Sequence, residues 1–115
     1  MQAHSLAKAL EGLDELEFGK LGNVNGGSVG VYWSTGGTSP WELHPEDDEL
    51  LYVIEGGATI EILTETDRVE IAVPAGSCLV VPGNHWHRHK VDEVVKEMYV
   101  TPGPTETSFA DDPRI

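Results

Sequence analysis

Two stretches decide how this chain is read: Trp41-Glu42-Leu43-His44-Pro45-Glu46-Asp47-Asp48-Glu49-Leu50-Leu51-Tyr52-Val53-Ile54-Glu55-Gly56, and Gly76-Ser77-Cys78-Leu79-Val80-Val81-Pro82-Gly83-Asn84-His85-Trp86-His87-Arg88-His89. Each sets histidines and carboxylates beside a run that reads as a β-strand, and together they contain four of the five histidines in the protein. Alternate residues of a strand share a face. Glu42 and His44 are thus expected to point one way and Trp41 and Leu43 the other, while His85, His87 and His89 share a face. Glu49 leads a face that continues as Leu51 and Val53, which read as core. A carboxylate at the head of an apolar face is costly unless something neutralises it. A metal ion with imidazole neighbours would do so, and so would a hydrogen bond from Tyr or Arg.

Working outward, short β-branched and apolar runs alternate with glycines and prolines from Gly19 onward. The runs are Val29 to Ser34, Leu50 to Glu55, Ala58 to Thr64, Val69 to Val73, Cys78 to Val81, Trp86 to Val91 and Val94 to Val100. Short strands at this spacing predict an all-β sandwich or barrel. Gly56-Gly57 and Thr66-Asp67 are the expected hairpin connections. Before them, Leu6, Ala9, Leu10 and Leu13 recur at helical spacing, which predicts one short amphipathic helix from Ser5, its N-cap, to about Leu16, weakened by Gly12. After Thr101 the prolines Pro102, Pro104 and Pro113 exclude a regular central strand and predict an arm over the surface. The expected organisation is a helix and arm over 1–18, a barrel over 19–101 and a carboxy-terminal arm over 102–115, in a single domain.

Seven basic against twenty acidic residues give a formal charge of −13 in 115 residues. Such a surface repels polyanions, so nucleic acid and anionic membranes are not expected partners. The single cysteine, Cys78, excludes an intrachain disulfide and reads by default as a small buried hydrophobe. With no signal-like segment and no apolar run long enough to span a bilayer, the expectation is a soluble cytoplasmic protein. There is no Gly-x-Ser-x-Gly elbow and no glycine-rich phosphate loop, which argues against a hydrolase nucleophile or a nucleotide site. Trp41 and Trp86, on the faces opposite the histidines, read as core or subunit-interface residues.

Gly37 to Gly56 reads G-x6-H-x4-E-x6-G and Gly76 to His87 reads G-x5-P-x4-H, which resemble the two cupin motifs in order. The resemblance runs from about Val29 to Thr101. It implies a small antiparallel jelly-roll β-barrel holding a divalent transition metal, with Fe, Mn, Ni or Zn as the candidates. Carried over residue by residue, it places ligands at His44, Glu49 and His87. The first histidine of the family pattern falls on Glu42, a carboxylate that either ligates, making the site harder and more anionic, or turns away to a salt bridge and leaves the site weak or vacant. The glycine before the last histidine is replaced by Asn84, which tolerates the left-handed backbone. His85 and His89 are left as substitute ligands, proton shuttles or plain rim residues. The resemblance, with the apolar second face Leu50, Tyr52 and Ile54, also implies a homodimer. Two functions remain open: a small-molecule metalloenzyme of dioxygenase or isomerase type acting on an oxygenated ligand, and a non-catalytic sensor or accessory module binding a metal or ligand.

Overall fold

A computed structural model covers residues 1–115. It consists of one helix, α1 (Leu6–Glu11), and eight strands: β1 (Gly19–Val24), β2 (Gly27–Thr38), β3 (Trp41–Leu43), β4 (Glu49–Leu63), β5 (Arg68–Pro74), β6 (Cys78–Val81), β7 (His87–Thr101) and β8 (Glu106–Ser108). The fold is all-β with a short amino-terminal helix, and every strand pairing is antiparallel. Ser5 caps α1 by accepting from Lys8 N at 3.3 Å. The helix stops at Gly12 rather than continuing to Leu16, and Leu16 itself takes a left-handed φ of 65°.

The sheet is organised around β7, which β2 and β3 line on one side and β4 on the other. Both long strands turn a corner. His89 and Glu97, eight residues apart on β7, touch at 3.0 Å, whereas eight extended residues would span about 26 Å. The strand must therefore fold back between them, around the exposed Asp92-Glu93 pair. In β4 the register slips between Val53 and Glu55 and again between Gly56 and Thr59. The buried side chains change phase there, from Glu49, Leu51 and Val53 to Ala58, Ile60 and Ile62. A bulge of this kind bends a strand without ending it. Gly56-Gly57 is thus a corner within one fifteen-residue strand, not the expected hairpin. Gly56 has φ 76°, and a Cβ there would strike the Val94 carbonyl. Likewise the two runs expected over Trp86–Val91 and Val94–Val100 are a single strand, β7. The Thr66-Asp67 hairpin between β4 and β5 is present, closed by Thr64 N donating to Asp67 O at 3.0 Å.

Inward residues of the curled sheet form one core that includes Leu51, Val53, Ile60, Val81, Val91, Val95 and Tyr99. Trp41, 1% exposed, lies outside that core on the opposite face of its strand. The Arg88 guanidinium sits 4.2 Å from its ring centroid, and its indole N–H donates to Asp111 O of the carboxy-terminal segment at 3.2 Å. That segment contains β8, an edge strand of three residues on β3 that its polar sequence did not announce. Cys78 corrects another expectation: on β6 it pairs with Tyr52 and faces outward, exposed. No helix is long and apolar enough to cross a membrane.

Candidate metal centre

Strand pairing places Glu42 of β3 directly beside His87 of β7 on the inner face. His44 follows two residues later, just past the end of β3. The loop it enters is clamped to the loop before β7, because Asn84 N donates to His44 O at 2.7 Å and Gly83 N to Asp48 Oδ1 at 2.8 Å. Asn84 makes that approach with φ 59°, the left-handed conformation expected of an asparagine in a glycine's place. Glu49 opens β4 from the far side. One ligand-type atom from each of Glu42, His44, Glu49 and His87 lies within 4.8 Å of all the others.

His87 Nε2 is 3.1 Å from Glu49 Oε1, and His44 Nε2 is 3.3 Å from Glu49 Oε2 and 3.9 Å from Glu42 Oε2. Glu49, His44 and His87 are buried, while the Glu42 side chain is 41% exposed. Outer contacts orient the first three. His87 Nδ1 donates to the His85 carbonyl at 3.2 Å, which leaves Nε2 facing the cluster. His44 Nδ1 meets Thr105 Oγ1 at 2.9 Å. Thr101 Oγ1 donates to Glu49 Oε2 at 2.5 Å. Metal-binding histidines are commonly fixed in this way through their second nitrogen.

His44 Nε2 is buried and has no hydrogen-bond partner, since its approach to Glu49 is too poorly aligned to count as one. Such an orphan is costly unless something fills the gap. Two imidazole nitrogens and two carboxylates converging there are the donor set of a divalent transition metal, and the four residues fit such an ion. Burial by itself disfavours the Glu49 anion, but the two imidazoles beside it, His44 and His87, and the Thr101 hydroxyl outweigh it and hold the carboxyl well below its usual range. Burial also opposes the His44 cation, yet the Glu49 carboxylate and then Glu42 raise that imidazole above its ordinary value.

His85 and His89 lie outside this group. His85 Nδ1 is 2.8 Å from the Gly83 carbonyl, within the turn. His89 is paired with Glu97, at 3.0 Å and 3.2 Å to the two carboxylate oxygens, and Tyr32 sits opposite Glu97 in the β2–β7 ladder. The desolvation that opposes the His89 cation is overcome by Glu97, so its pKa is raised. Burial and then Glu97 push the Tyr32 hydroxyl well above its usual value. Alternation could have found Glu97, which shares a face with Val95 and Tyr99. Nothing in the sequence points to Thr101 or Thr105 as partners of the site. A cavity of about 740 Å³ opens beside both groups and is lined by Glu42, Glu49, His89, Tyr32, Thr101 and Thr105 among others.

Fold and site together define a curled antiparallel barrel with a histidine and carboxylate cluster inside it. The family model of the cupin domain matches residues 31–101, and the chain belongs to the cupin family. Among curated proteins it is 40% identical over 48 residues to an acireductone dioxygenase of Danio rerio, covering 41% of this chain and 26% of that one. It is 38% identical over 52 residues to an acireductone dioxygenase of Sulfurihydrogenibium sp., covering 45% and 29%. The matched part is thus under a third of those relatives' length. Among solved structures, a protein from Neisseria meningitidis superposes with a TM-score of 0.74 at 17% identity, covering 89% of this chain and all of that one. A Klebsiella pneumoniae protein with a double-stranded β-helix domain gives 0.72 at 17% identity, covering 96% and 99%. Hydroquinone 1,2-dioxygenase from Sphingomonas sp. gives 0.67 at 13% identity, covering 86% and 74%. These superpositions share the fold.

Proposed function

We propose that the protein holds one divalent transition metal ion, from among Fe, Mn, Ni and Zn, through Glu42, His44, Glu49 and His87. We further propose that it acts there on a small oxygenated molecule with chemistry of dioxygenase or isomerase type. The observation that carries this reading is the buried, partnerless Nε2 of His44, facing a carboxylate and next to a second imidazole. A bound divalent ion would supply Lewis acidity to the oxygens of the molecule in the cavity. The chain's own part is orientation. The His85 carbonyl and Thr105 set the two imidazoles, and Thr101 holds Glu49. Glu42, the most exposed of the four, marks the side from which the molecule enters. The matches to acireductone dioxygenases support the dioxygenase form.

A non-catalytic sensor or accessory module is the second reading. It is favoured by the chain matching no more than 29% of those enzymes' length. Elemental analysis of untagged protein purified without chelator tests the metal reading common to both. About one transition metal per chain is expected, and protein that takes up none even on anaerobic reconstitution overturns it. Oxygen uptake by the loaded protein with enediol and diol substrates, or their conversion to an isomer without it, then separates enzyme from sensor. We also propose a homodimer, formed through the outward apolar face of Leu50, Tyr52, Met98 and Val100 beside the exposed Val80. Sedimentation equilibrium showing a monomer at every concentration would rule it out.

A further inference from the structure

The cavity beside the metal group changes character along its length. Toward the cluster its wall is polar, with Glu42, Glu49, Thr101 and Thr105. One other part of the wall is aromatic, beside a run of serines, threonines and glycines from β2. Phe18 lies 5.2 Å from Tyr32 and 5.8 Å from Tyr99, centroid to centroid, the second contact edge-on, and all three rings line the cavity. Tyr32 and Tyr99 are buried, but Phe18 is 62% exposed and so presents most of its ring to the open space.

Local structure is arranged to keep it there. Tyr99 occupies its position because residue 30, opposite it in the β2–β7 ladder, is glycine: a Cβ there would collide with the Tyr99 hydroxyl. The strap before β1 is tied to β2 by Leu16 N donating to Trp33 O at 2.9 Å and by Thr35 N donating to the Glu15 carboxylate at 2.7 Å. At those ties Leu16 takes a φ of 65°, a left-handed conformation that is strained for a leucine. Leu16 is 61% exposed and lines the same cavity as Phe18. A strained backbone that leaves two large apolar side chains at a cavity's solvent side does not serve the core.

Charge narrows the occupant further. Glu15, Glu42 and Glu49 all line the space, and the chain carries −13 overall. An anion would meet this field unfavourably, whereas a neutral molecule would not. Aromatic rings favour a flat partner in offset or edge contact beyond what buried area alone provides.

From these observations we propose that the cavity binds a neutral, planar, hydroxylated ring compound, with its ring against Phe18 and its hydroxyl oxygens toward the Glu42, His44, Glu49 and His87 group. The assignment rests on the metal reading above and names the class of molecule that reading leaves open. Phe18 is the residue that discriminates the ring, and His89, held by Glu97, is a polar neighbour for a hydroxyl.

The test is isothermal titration calorimetry on zinc-loaded protein with three probes. Catechol is flat and neutral, trans-cyclohexane-1,2-diol keeps the diol without the flat ring, and benzoate keeps the ring but is anionic. Catechol is expected to bind at least about tenfold more tightly than either of the others. Phe18→Leu keeps an apolar, exposed side chain and is expected to weaken catechol about tenfold while leaving the cyclohexane diol unchanged. Equal affinity for catechol and the cyclohexane diol, or a Phe18→Leu variant that binds catechol as wild type does, overturns the proposal. Zinc content measured on the same samples separates this from failure of the metal reading. Wild-type protein that takes up neither zinc nor Fe, Mn or Ni offered in its place overturns both, whereas about one zinc per chain with no preference for catechol overturns this inference alone.

Discussion

The barrel holds two buried histidine and carboxylate groups, and they differ in one respect. Around Glu49 the partners are incomplete: His44 Nε2 is buried without a hydrogen bond, and a more exposed second carboxylate, Glu42, stands 3.9 Å from it. Around Glu97 the partners are complete, because both carboxylate oxygens meet His89 Nε2 and no buried polar atom of the pair is left unsatisfied. Both carboxylates are almost wholly removed from solvent, at 4% and 0% exposure. A buried carboxylate paired with imidazole is therefore common to the two groups. What singles out the first as a candidate ion site is a buried imidazole nitrogen left without a partner and facing a point that the other ligand-type atoms share.

The two groups should therefore respond oppositely to substitution. The largest expected effect is on metal content. His87→Ala should reduce bound metal from about one per chain to near zero, while His89→Ala should leave it unchanged, as read by elemental analysis. Equal loss in both variants would erase the distinction.

Stability should show the reverse order. Glu97→Ala leaves the imidazole of His89 without its buried partner, and breaking such a pair costs about 3–5 kcal/mol. Denaturant unfolding of the variant should show that loss, with metal content retained. A smaller effect is expected at Thr101, which touches only an oxygen of Glu49. Thr101→Val should weaken metal affinity about tenfold, the range typical of partners that orient a ligand, without affecting the fold.

The smallest effect is in pH dependence, and it sharpens the same contrast. In metal-free protein the Glu49 pKa is lowered, so its contribution to stability is present above its unfolded value of about 4.3 and lost as pH falls. The His44 pKa is raised, so its contribution is present below its unfolded value of about 6.5 and lost as pH rises through the folded value. Bound metal requires the unprotonated imidazole, so metal stabilisation should instead grow as pH rises. The thermal shift between loaded and metal-free protein should increase between pH 5.5 and 8 by on the order of 5 °C. His89 is also raised, but by Glu97, and His89→Ala should leave that increase in place.

Much of the fold was legible because its signals are local. The runs from Val29 to Val100 and the Thr66-Asp67 hairpin correspond to strands and a turn that are present. The N-cap at Ser5 is present too. The sequence misled where one signal serves two structures. Gly56-Gly57 suits a hairpin and a strand corner equally, and only the pairing of both halves of β4 with β7 makes it a corner. Cys78 was read as core because its neighbours are apolar, but the pleat turns it outward opposite Tyr52. β1 is rich in glycine and β8 is short and polar. Both are edge strands, for which hydrophobic pattern is weakest.

For the site, alternation along a strand fixed which face each side chain takes but left His85, His87 and His89 equivalent; the resemblance to the cupin motifs selected Glu42, His44, Glu49 and His87, and these four converge within 4.8 Å. Alternation does not fix how far along that face two residues meet. That was decided by the bends in β4 and β7, which bring Glu97 back onto His89, leave His44 Nε2 partnerless, and seat Thr101 and Thr105 behind the cluster. Those contacts depend on closing a sheet across residues up to 61 positions apart, and no local pattern of residues encodes a closure of that length.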